Sequence, residues 1–244
     1  MKHISRSLAG VVAGTALIAA PALAGDIAAF QSLGFSPDGS VYAFEEYGIQ
    51  DGSGFPYSNI YFIDTKQDQY LPGTPIRIRI DNEEAKLGEA RGQAASKAET
   101  LAKQYALADN PGQLVAFNPV TETESAPDSL RYRAYPADPA FGEPYKLQLD
   151  EFSEEPSPAC KDIVSEVKGF RLRLTEREGV PANELVYEDD HVPASRGCTT
   201  GYRLGGVVTH LPQTGQPVHM VLVLVLSYGF EGHDGRWISV PVHP

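Results

Sequence analysis

The chain reads as a mainly β protein, antiparallel throughout, with one long inserted helix over residues 83–108. Three observations predict this. Most of the sequence consists of short strand-like runs broken by turn residues. One stretch alone is rich in Ala, Glu, Lys and Gln without proline. One run, Met220 to Leu226, is apolar at every position, as a strand buried on both faces must be.

The elements follow in order. Lys2, His3 and Arg6 precede an apolar run from Leu8 to Ala20, which ends in Pro21-Ala22-Leu23-Ala24. A basic head, a short apolar body and small residues at the cleavage position make residues 1–24 a signal peptide. The run is too short for a spanning helix, and no transmembrane segment is expected after cleavage. Residues 25–244 are then expected to form a single mainly-β secreted domain, periplasmic or extracellular. Phe30, Leu33 and Phe35 lead into Ser36-Pro37-Asp38-Gly39, a turn in which proline presets φ and glycine supplies the left-handed residue. Strands are predicted over 41–47, 59–64 and 76–80, the last alternating strictly. Further strands are predicted over 130–135, 145–152, 170–175, 184–187, 202–210, 218–228 and 237–242.

In the helical stretch Leu87, Ala90, Ala94, Ala98, Leu101 and Tyr105 recur three or four apart, which is one helix face. Asp81 with Glu84 resembles a capping box, and Asn110-Pro111-Gly112 stops the run. Prolines recur between Pro119 and Pro158, so strands there must be short or lie at an edge.

The formal net charge is −12, and it becomes two units more negative once Lys2 and Arg6 are removed. That balance argues against nucleic acid and against anionic membrane surfaces. It suits simple solubility, the commoner case, or a small cationic ligand or a basic periplasmic protein partner. Cys160 and Cys198 are the only cysteines. In an oxidising compartment an even pair outside a C-x-x-C motif predicts a structural disulfide.

Phe35-Ser36-Pro37-Asp38-Gly39-Ser40-Val41-Tyr42-Ala43-Phe44, followed by Asn59 to Asp64, resembles one blade of a Tol-type periplasmic β-propeller. Propeller-blade-like meanders are therefore the leading arrangement, with a two-sheet β-sandwich as the alternative. Over its whole length the chain resembles an uncharacterised family of predicted secreted proteins from alpha-proteobacteria. The resemblance is carried by Leu33 to Ser36, Phe44 to Gly48, Asp51 to Ser58, Asn118 to Glu122, Ser195 to Cys198 and Gly229 to Gly232. It implies export and no known activity, substrate or catalytic residue.

Candidate chemistry must come from the residues. Glu45, Glu46, Asp51, Phe55 and Tyr57 combine carboxylates with aromatic faces around a glycine-flexed loop, Gly48 to Ser58. They are the candidate contact surface of a non-enzymatic binding module. The competing reading folds Phe55 and Tyr57 back onto the sheet. His191, His210, His219 and His233, with carboxylates nearby, are candidate ligands for zinc or another divalent metal, although none shows H-E-x-x-H spacing. His210 and His219 flank a turn that could bring them face to face. No other cofactor is expected. A hydrolase using Ser53, Ser195 or an acidic pair is the third reading, without a G-x-S-x-G elbow to support it.

Overall fold

The computed structural model describes residues 25–244, so the expected signal peptide lies outside the described residues. The first sheet is a meander. Strand β1 (Ala29–Phe35) pairs with β2 (Val41–Ile49), which pairs with β3 (Pro56–Asp64). Strands β4 (Gln69–Tyr70) and β5 (Ile76–Arg79) both pair with β3. The predicted turn joins β1 to β2: Gly39 has φ +74°, and Ser36 Oγ donates to Asp38 Oδ1 at 2.7 Å. That hydroxyl holds the Asp38 carboxyl down at about 2.

The helix is shorter than expected. Helix α1 runs Leu87–Gln104 with Lys86 as N-cap, and no side chain caps it. The predicted capping box does not form. Asp81 instead pairs with Arg79, while Asn82 Oδ1 accepts the Glu84 N–H. Residues 81–84 are used to leave β5, so the helix can begin only after that turn closes. Its buried face is Ala90, Ala94 and Ala98, laid against Ala43, Ile60, Phe62 and Ile78 on the outer face of the first sheet.

Strand β6 (Gln113–Phe117) was not anticipated, and it pairs with a strand far along the chain. A second meander follows: β7 (Ser129–Arg133), β8 (Pro144–Glu154), β9 (Val167–Arg177) and β10 (Val180–Glu188), in the order β10-β9-β8-β7. The last three strands are β11 (Thr199–His210), β12 (Val218–Tyr228) and β13 (His233–Val242). With β6 they form an antiparallel sheet in the order β13-β12-β11-β6.

This third sheet is the middle layer, and β12 explains why. Val221, Val223 and Val225 enter a core shared with Leu147, Leu149, Leu172 and Leu174 of the second sheet. Met220, Leu222 and Leu224 enter another, shared with Phe35, Tyr42, Phe44 and Tyr61 of the first sheet. A strand exposes alternate residues to opposite faces, so the continuous apolar run buries both. The layers are therefore helix, first sheet, middle sheet and second sheet. The first and second sheets are largely meanders, the middle one takes in the distant β6, and the three stack as a sandwich of three sheets rather than two. Cys160, after β8, and Cys198, before β11, are bonded across 38 positions, tying the second sheet to the middle one.

Candidate functional site

The three sheets bring edge strands to the same side of the molecule, and a cavity of about 550 Å³ opens there. The first sheet contributes Asn59, Tyr61, Asp68, Tyr70 and Arg77. The middle sheet contributes Val225, Ser227 and Arg236 to Val240. Tyr187 and the segment Pro193 to Arg196 come from beside the second sheet.

Two buried aspartates hold two of the cavity's arginines in place. Arg196 donates to Asp189 Oδ2 at 2.7 Å, to the Tyr187 hydroxyl at 2.8 Å and to the Tyr202 hydroxyl at 3.1 Å. Arg236 donates to Asp26 Oδ2 at 2.5 Å and to the carbonyls of Asp26 and Gly235. Its guanidinium lies 4.7 Å from the Tyr57 ring centroid. Planar forks held on carboxylates are rigid.

Glu46, 1% exposed, closes the first sheet onto β13. Its oxygens accept from Asn59 Nδ2 at 2.9 Å, from the Tyr61 hydroxyl at 2.7 Å and from the Trp237 backbone N–H at 2.7 Å. Burial, and the Glu46 charge beside it, push the Tyr61 hydroxyl well above its usual range. Asp68 stands at the mouth, where burial raises its carboxyl to about 6 and Arg196 opposes the rise. Ser239 is 6% exposed, lines the cavity, and its hydroxyl has no hydrogen-bond partner.

The expected contact loop is placed differently. Glu45 and Glu46 belong to β2 and are buried. Glu45 receives Arg91 of the helix at 2.7 Å and the Ser58 hydroxyl at 2.9 Å. Tyr57 is 4% exposed and donates to Asp26 Oδ1 at 2.9 Å. Asp51 and Phe55 are half-buried, and Asp51 Oδ2 accepts the Glu231 N–H at 3.2 Å. Adjacent residues on a strand face opposite sides, so Glu45 and Glu46 could not share one acidic surface. The exposed rings at this end are Tyr228 and Phe230.

The histidines do not meet. His191 and His233 are exposed. The hairpin between His210 and His219 forms, but Thr209 is the residue opposite His219. That one-residue offset turns the two rings to opposite faces. His210 stacks on Phe35 at 4.8 Å, and His219 bonds the Tyr132 hydroxyl at 2.9 Å. Among the described residues no group of three or more His, Cys, Asp or Glu side chains is placed to hold a metal. Ser195 lines the cavity mouth, but no histidine lines it. Ser53 donates to Gln50 within its own loop.

The family model described as Predicted secreted protein (DUF2259) matches residues 43–243. The chain belongs to this family. The matched span covers every residue that lines the cavity. No curated protein and no solved structure matches the chain. No helix among the described residues is long and apolar enough to cross a membrane.

The sequence reading missed the cavity. Its residues are spread from Glu46 to Val240, and no local spacing connects them. Only Ser195 and Glu46 had been singled out.

Proposed function

We propose that this member of the secreted family is an exported, non-enzymatic binding protein of the periplasm, and that its ligand site is the three-sheet cavity. The observation that carries the reading is Arg77. Its side chain lines a space large enough for a small molecule and has no hydrogen-bond or ion-pair partner among the described residues. Rigid arginines and tyrosines around an apolar floor are the lining that fixes a ligand's orientation. The inward turn of Glu45, Glu46 and Tyr57 moves the preferred site from the Gly48–Ser58 loop to the cavity. The missing histidine removes the usual base for Ser195, so binding fits better than hydrolysis.

The test is native mass spectrometry of mature protein recovered from the exported fraction, beside Ser227→Phe, which places a ring at the half-buried Ser227 of the lining. A small molecule released from the wild type and absent from the variant supports the proposal. Equal recovery from both, with both folded, rules out the cavity as the site.

A further inference from the structure

We propose that the cavity takes a small organic carboxylate, with its anionic end between Arg77 and Arg196 and its apolar or aromatic body against Tyr61, Tyr70 and Tyr187. The inference rests on the reading of the cavity as the ligand site and names the chemistry of what enters it.

The argument is a surplus of donors. A guanidinium carries five N–H groups and no acceptor. Arg196 commits three of them to Asp189, Tyr187 and Tyr202. Arg236 likewise commits three, to Asp26 and Gly235. Arg77 lines the cavity, and its side chain makes no hydrogen bond or ion pair with any described residue. Asp26 and Asp189 are themselves buried and are not part of the lining. They neutralise and aim the forks without offering acceptors to the cavity. Both oxygens of Glu46 are already occupied by donors, and Asp68 is the other lining carboxylate, offsetting one of the three guanidinium charges from beside Arg196.

The backbone of β13 adds to the surplus. Trp237 sends its backbone N–H out of the ladder to Glu46, and strand alternation gives the Ser239 N–H, two residues on, the same outward direction. A carboxylate takes paired donors and offers none in return. The remaining surface selects the rest of the molecule. Tyr61 and Tyr70 lie with ring centroids 5.5 Å apart, and Ile63, Val225, Ile238 and Val240 complete the floor. A volume of about 550 Å³ suits a small ligand rather than a folded partner.

Trp237, the only tryptophan of the chain, lines the cavity and reports its occupancy. The mature protein is titrated with a panel of aryl and alkyl carboxylates of increasing length, each beside its own neutral amide, while Trp237 emission is followed. At least one carboxylate is expected to saturate, with its amide at least tenfold weaker, and Arg77→Gln should remove that difference while thermal unfolding stays unchanged. Amides binding as tightly as carboxylates would overturn the anionic reading and leave the cavity as a binding site. So would a preference that survives in Arg77→Gln. If no carboxylate saturates, the present proposal falls, and the released-molecule experiment decides independently whether the cavity binds anything.

Discussion

On β12 the odd-numbered residues Val221, Val223 and Val225 face the second sheet, and the even-numbered Met220, Leu222 and Leu224 face the first. The two interfaces differ in kind. Towards the second sheet the partners are mainly leucines, with His219 as a polar intrusion between Tyr132 and Tyr145. Towards the first sheet they are stacked rings, Phe44 on Tyr61 at 4.7 Å and Phe35 beside Tyr42 at 4.5 Å, with a buried carboxylate at their edge. Branched aliphatic side chains interdigitate and close. Rings carrying hydroxyls must also place those hydroxyls on partners, and this interface opens into the cavity where Glu46, Tyr61 and Trp237 meet. The interface with the second sheet is covalently tied, and the ligand-sized space lies at the edge where all three sheets meet, opening from the aromatic interface.

The largest test of that contrast is the tether. Cys198→Ala should lower stability by about 2–5 kcal/mol, because the bond closes a long loop of the unfolded chain. Denaturant unfolding of the variant beside the oxidised wild type measures it.

Acid should act on the closed interface through His219. Burial, reinforced by Arg177 and His243, depresses its folded pKa from 6.5 to about 4. Between those values the unfolded chain binds a proton that the folded one refuses, so stability falls as pH falls. The loss through the window is about 3 kcal/mol. Comparing pH-dependent unfolding of wild type with His219→Phe isolates it, and identical slopes would remove His219 from the account.

On the open interface, Tyr61→Phe withdraws one of three donors from the buried Glu46 carboxylate. We expect a cost of about 1–3 kcal/mol, read by thermal denaturation. The smallest effect is expected at Ser239. Because its hydroxyl has no partner, Ser239→Ala should leave stability within about 0.5 kcal/mol of wild type or raise it. A larger loss would mean that the hydroxyl is bonded in solution, and the contrast between the interfaces would weaken.

Much of the fold was legible along the chain. The apolar run of β12, the Ser36–Gly39 turn, the alanine face of α1 and the disulfide are local or compositional signals, and each is found. The capping box was misread because Arg79 and Asn82 compete for the same residues. The pairing of β6 escaped because its partner β11 lies far along the chain. The candidate contact residues were misplaced for a related reason: a glutamate pair and a tyrosine look like surface until Arg91, Asp26 and Trp237 are brought to them.

Residue order by itself determined most of the strands, the place of the helix, which cysteines pair and that β12 must be covered on both faces. These depend on periodicity and composition, which operate over a few residues. Only the tertiary structure decided that three sheets stack, that His210 and His219 diverge, and that Glu46, Asp68, Arg77, Arg196 and Ser239 line one cavity. Burial, partnership and charge belong to residues distant in the chain, and folding alone brings them within hydrogen-bonding reach.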